Sequence, residues 1–209
     1  MRKQLDDVMS SESAPVLAEI NTEKVLDKRL PGDLAMWFFI LAELTVFAIL
    51  FIGFAVAEQL NTEIFIAGKA KLHQAAGLAN TLTLITSSFF VALALNAMHK
   101  GSGKKSAMLL VLAKLVACVY LVIKVWEYFS LFDQNIDIET NTFFTLYFMI
   151  TFFHLMHILL GMVILAFIAV KAAKNEYTTS NISGFESGAS YWHMVDMLWI
   201  ILFPLIYVI

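Results

Sequence analysis

The chain has 209 residues, of which 60% are hydrophobic and only 15% charged, with a mean hydropathy of +0.77 and a formal net charge of -3. Soluble domains carry about a quarter charged residues, so bilayer is the solvent to reason with, and so small a charge spread over short connections excludes a nucleic-acid partner. The single cysteine, Cys118, lies in an apolar run and can build neither an internal disulfide framework nor a thiolate metal site.

Residues 1–31 are polar and mixed in charge, lack the apolar core of a signal peptide, and are expected to form a cytoplasmic N-terminal segment. Residues 32–209 should form one all-α membrane domain. A helix that crosses about 30 Å of hydrocarbon needs roughly 20 mostly apolar residues, because its backbone must satisfy its own hydrogen bonds. Five segments qualify: about Leu34 to Ala57, Ala75 to Met98, Ala107 to Phe132, Phe143 to Val170, and Ala189 to Ile209. Pro31-Gly32-Asp33 should break the chain ahead of the first, with Asp33 able to cap its free amides. Short connections make neighbouring helices antiparallel members of one bundle.

The first span carries Glu43, ten residues past Asp33 and therefore roughly 15 Å deep at about 1.5 Å per residue. An ionisable group at that depth costs at least about 2.5–3.5 kcal/mol on insertion scales. It is either a proton-exchanging or partner-binding carboxylate, or a neutral or paired group that fixes helix packing. Asn80 and Asn96 in the second span are candidate partners for polar groups elsewhere. In the third, Lys114 can snorkel to the near end, and Lys124 and Glu127, three apart on one face, can pair. Glu127-Tyr128 could equally face a partner or lipid headgroups.

The fourth span holds His154 and His157, with Gly161 on the same face. Two imidazoles could ligate a metal, but a third and fourth ligand are wanting, so helix-to-helix hydrogen bonding is expected. In the fifth, Tyr191-Trp192 and Tyr207 look like interfacial belts. Trp192, Asp196 and Trp199 share a stripe, and His193 beside Asp196 suggests a polar lock between helices, with a proton relay as the alternative.

Five stretches together, Leu41 to Phe47, Asn80-Thr81, Glu127-Tyr128, Phe153 to Gly161 and Tyr191 to Trp199, resemble subunit III of the haem-copper oxidases, in that family's order. The resemblance implies a subunit without haem or copper of its own, packed beside a catalytic subunit that holds haem and in some cases copper, its helices enclosing a lipid-holding cleft. No catalytic, cofactor or metal residue is then expected in this chain. Glu43 matches the family's carbodiimide-reactive carboxylate, and His154 and His157 match its H-x-x-H. Asn80, Glu127, His193 and Asp196 are the other matched polar residues; Trp192, Trp199 and Gly161 are matched packing or lipid-cleft positions. Where the family has Gly before and within the His motif, this chain has Phe152 and Leu155, whose bulk would part the helices or fill the cleft.

Five spans are expected to correspond to a five-helix form of the family, without the two extra N-terminal helices of the seven-helix form. A five-helix length is shared by quinol-oxidase subunit III and by the NorE-type accessory protein of bacterial nitric oxide reductase, and the stretch Pro31 to Leu44 looks most like the latter. A small transporter or channel using Glu43, Lys114 and Asp196 is the reading from another class, though neither broken helices nor inverted repeats are visible.

Basic residues set the expected orientation, since cytoplasmic loops carry the excess. Arg2, Lys3, Lys24, Lys28, Arg29, Lys100, Lys104, Lys105, Lys171 and Lys174 fall on one side and only Lys69 and Lys71 on the other, which predicts the N-terminus in and the C-terminus out. A reporter active only outside the cytoplasm should therefore be active when fused after Ile209 and silent after Gly101; the reverse pattern would invert the topology.

Overall fold

The computed structural model describes residues 34–177 and 182–208. The segment 1–31, the Pro31-Gly32-Asp33 start signal and Ile209 lie outside the described residues. The described residues form six helices: α1 (Leu34–Leu60), α2 (Thr62–Lys69), α3 (Gln74–His99), α4 (Gly103–Phe132), α5 (Thr142–Ala173) and α6 (Ser183–Tyr207). All but α2 are long and apolar enough to cross a membrane.

Four of the spans close a ring: α3 packs on α4, α4 on α5, α5 on α6, and α6 back on α3. Outside this ring α1 lies against α5 and α6. Hydrophobicity cannot decide which face turns inward, because lipid tails are as apolar as leucine; close approach and hydrogen bonding decide it. Small residues accordingly line the α3–α4 seam. Ser87 donates to the Ala113 carbonyl at 2.9 Å and Ser106 to the Ala94 carbonyl at 2.8 Å, and Ala94, Ala113 and Ala117 are fully buried. Leucine, valine and phenylalanine such as Leu34, Phe38, Leu115 and Val122 stay exposed on the outer faces, where the bilayer would solvate them.

The link between α1 and α3 is not bare. Eight residues, too few to show a helical period, fold as α2 and dock by aromatic contact: Phe65 stacks edge-on with Phe54 of α1 and Phe143 of α5 at 5.1 and 5.3 Å. Lys69 pairs with Glu58 at the same end. α6 also begins six residues before the expected Ala189, because the helix continues past the apolar run into Ser183-Gly184-Phe185-Glu186. Asn141 caps α5 by accepting from the Phe144 amide at 3.0 Å.

Gly161 sets the α5–α6 approach: a Cβ there would stand 2.8 Å from Trp192 Cε3 and 3.3 Å from Tyr191 Cε1. Gly161→Val should cost about 1–3 kcal/mol, the range for overpacking a well-filled core, whereas Gly53→Ala, with nothing within 4 Å, should leave stability almost unchanged. Thermal unfolding of the two variants in detergent makes the comparison; equal melting temperatures would mean that Trp192 is not held against Gly161.

Candidate functional site

Two groupings of charged side chains stand out in the spans. The first is in the core of the ring. Lys124 and Glu127, one helical turn apart on α4, are both fully buried and paired at 2.9 Å. An ammonium has three protons to place, and Lys124 places all three: on Glu127 Oε2, on the Tyr147 hydroxyl of α5 at 3.1 Å and on the Tyr207 hydroxyl of α6 at 2.9 Å. Tyr207 in turn reaches Glu127 Oε1 and Oε2 at 2.9 and 2.8 Å. The ammonium also lies within 4.8–5.5 Å of the rings of Tyr128, Tyr147, Trp199 and Tyr207, close enough for cation–π attraction. Glu127 therefore faces inward, not toward headgroups. Tyr207, expected in an interfacial belt, is a buried strut between α6 and α4. Tyr191, Trp192 and Trp199 are core residues too.

The second grouping joins α1 to α5. His157 Nε2 meets Glu43 Oε2 at 3.0 Å, while its Nδ1 lies 2.8 Å from the Phe153 carbonyl one turn back. The Glu43 side chain keeps 21% of its exposure, so this pair sits at the seam and not in the core. It supplies the partner on another helix expected for Glu43. Phe47, fully buried, packs edge-on against His157 at 5.3 Å.

His154 does not join its neighbour. It is fully buried among Trp199 of α6, Tyr120 of α4 and Phe47 of α1, and neither ring nitrogen has a hydrogen-bond partner. The expected helix-to-helix hydrogen bonding holds for His157 and fails for His154, because the two rings turn toward different neighbours. No group of three or more His, Cys, Asp or Glu side chains among the described residues could hold a metal.

His193 and Asp196 lock α6 to α3 through a serine that nothing in the sequence pattern marks. Ser88 Oγ lies 2.5 Å from His193 Nδ1, and its side chain also interacts with Asp196. The asparagines do not serve them: Asn96 is exposed, and Asn80, although fully buried, makes no side-chain hydrogen bond. Leaving such a group unbonded costs about 1–3 kcal/mol. Tyr120, Tyr147 and Thr151, which meets Tyr128 at 2.8 Å, gave no signal as isolated hydroxyls in apolar runs, whereas Thr81, part of the matched Asn80-Thr81 stretch, accepts Trp199 Nε1 at 3.0 Å.

An apolar cleft of about 830 Å³ opens between α1 and the facing parts of α4 and α5, lined by residues such as Val46, Leu50, Phe132 and Phe148. Phe152 and Leu155 stand in its wall. Their bulk helps to shape the cleft, which stays open at about 830 Å³.

The family profile described as cytochrome c oxidase subunit III matches residues 31–209. Among similar proteins, cytochrome bo(3) ubiquinol oxidase subunit 3 of Buchnera aphidicola subsp. Acyrthosiphon pisum is 24% identical over 172 residues, covering 82% of this chain and 83% of the relative. Cytochrome c oxidase subunit 3 of Spodoptera frugiperda is 28% identical over 62% of this chain and 86% of its own length; that of Prototheca wickerhamii is 30% identical over 61% of this chain and 48% of its own length. With a match that runs from Pro31 through all six helices, this multi-pass membrane chain belongs to the cytochrome c oxidase subunit III family.

Proposed function

We propose that the chain is a non-catalytic subunit or accessory factor of a haem-copper oxidoreductase in a bacterial cytoplasmic membrane, oriented N-terminus in. It supports the assembly, stability or sustained activity of a catalytic partner that carries the haem, and copper where that partner uses it. The observation that carries this reading is the engagement of the intramembrane charges by the chain's own side chains: Lys124 by Glu127, Tyr147 and Tyr207, and Glu43 by His157. Groups used in this way tie helices together; a transporter or channel would turn them toward a passage. The cleft beside α1 suits the acyl chains of a bound lipid, being almost wholly apolar in its lining.

Within the family we favour association with a nitric oxide reductase, on the likeness of Pro31 to Leu44 to the NorE type. The second reading, an oxygen-reducing oxidase, is supported by the similarity to a ubiquinol oxidase subunit over 82% of the chain.

A tagged chain drawn from native membranes in mild detergent should bring a haem-containing subunit with it, and that complex should consume nitric oxide. Oxygen consumption instead would select the second reading, and a preparation free of haem would refute the accessory role. In the same preparation Glu43→Gln, which keeps a hydrogen-bonding side chain toward His157, should leave assembly and initial turnover intact and shorten the life of the active complex. Abolished turnover in an assembled, haem-replete variant would place Glu43 on an obligatory proton path.

The tie between α4, α5 and α6 can be tested on stability alone. Lys124→Met strands Glu127 without its cation and should lower the unfolding free energy by about 3–5 kcal/mol, the range for breaking a buried pair from one side. Lys124→Met with Glu127→Gln removes both charges and should recover most of that loss. Denaturant unfolding followed by tryptophan fluorescence reads both; a double variant no more stable than the single would mean that the pair is not the source of the effect.

A further inference from the structure

One turn along α4 from Lys124 stands Tyr120, fully buried, its hydroxyl without a hydrogen-bond partner among the described residues. His154 of α5 meets it edge-on with ring centroids 6.1 Å apart, and both pack on Trp199 of α6, at 5.1 and 5.2 Å. Both nitrogens of His154 are unbonded. Asn80 of α3 is fully buried as well, with neither its carbonyl oxygen nor its amide nitrogen bonded.

The helix register brings Asn80 to the same depth. Ser87 bonds the Ala113 carbonyl and Ser106 the Ala94 carbonyl, so each step along α3 is matched by an equal step back along α4, and Asn80 stands level with Tyr120. Its neighbour Thr81 accepts the Trp199 indole proton at 3.0 Å, which brings this turn of α3 to the ring that already carries Tyr120 and His154. Three unbonded polar side chains from three helices thus share one level of the ring around one tryptophan.

Their chemistry selects the ligand. The amide offers two donors and an acceptor, the hydroxyl one of each, and a neutral imidazole one of each. A ligand that uses them must both donate and accept. It must be uncharged, because the nearest cation, Lys124, is already engaged by Glu127 and two tyrosines. A metal would find a single imidazole, and a lipid chain would find polar walls. Buried water typically makes about three hydrogen bonds to groups of this kind.

We propose that Asn80, Tyr120 and His154 form a site for bound water at the centre of the α3–α6 ring, one turn from the Lys124–Glu127 cluster. Asp196 Oδ1 and Trp192 Nε1, the remaining unbonded buried side-chain atoms among the described residues, lie on the same stripe of α6 as Trp199 and extend the site along it. The water bridges α3, α4 and α5 where no direct hydrogen bond does.

Brief X-ray radiolysis of the full chain in its native membranes tests this, because radicals made from bound water oxidise the side chains that touch it, and peptide mass spectrometry reads each residue. Tyr120 should be oxidised several-fold faster than Tyr191, which is equally buried but donates its hydroxyl to the His157 carbonyl. Equal rates would overturn the proposal. Asn80→Leu with His154→Leu, which makes two walls apolar, should bring Tyr120 down to the Tyr191 rate; an undiminished rate in a membrane-inserted variant would overturn it too. If that variant does not accumulate, the comparison within the unaltered chain decides.

Discussion

A charge inside hydrocarbon must be cancelled within a few ångströms, and three of the four helices of the ring are arranged around that requirement at Lys124. The lysine is fully buried inside the ring, and its three protons are taken by Glu127, Tyr147 and Tyr207. Those partners come from α4, α5 and α6. The electrostatic need of one side chain thereby fixes the mutual rotation of three helices, and aromatic rings fill the space that remains around the ammonium. An apolar replacement of similar volume could pack as well; what the polar cluster adds is a single admissible arrangement.

The other seams are made differently. The α3–α4 seam relies on serine and alanine, which let backbones come close enough for a side-chain hydroxyl to reach the opposite carbonyl. The α5–α6 seam relies on glycine beneath a tryptophan, Gly161 under Trp192. α1 is held most lightly, by the Glu43–His157 contact, the Phe47 and Phe54 contacts and Phe39 stacked on Tyr191. The same light attachment leaves room for the apolar cleft between α1 and the ring.

The spans were legible because hydrocarbon thickness imposes a length that apolar runs either reach or do not. Glu43, His157, Lys124 and Glu127 also stood out, since ionisable groups are conspicuous in such runs. The pairing of Glu43 with His157 was not legible. When every face of a helix is apolar, its rotation leaves no periodic trace, and the partner of a polar residue depends on that rotation. Tyr191, Trp192 and Tyr207 were misplaced for a related reason: aromatic residues near the ends of a span look interfacial, and only the inward turn of α6 makes them core. Ser88 and Tyr120 carried no mark at all, being single hydroxyls whose neighbours become known once the helix register is known.

The distance along the chain between Lys124 and Tyr207 has a bearing on biosynthesis. The two residues are 83 apart, which a ribosome working at about 5–20 residues per second takes roughly 4–17 seconds to cover. Throughout that interval α4 has left the ribosome ahead of its most distant stabilising hydroxyl. The carboxylate of Glu127 is three residues from Lys124 on the same helix, so the cation travels with its own counter-charge and enters the bilayer as a neutral pair. Local pairing makes α4 insertable early; the tyrosines then convert a pair that any rotation of α4 would permit into one that only the closed ring satisfies.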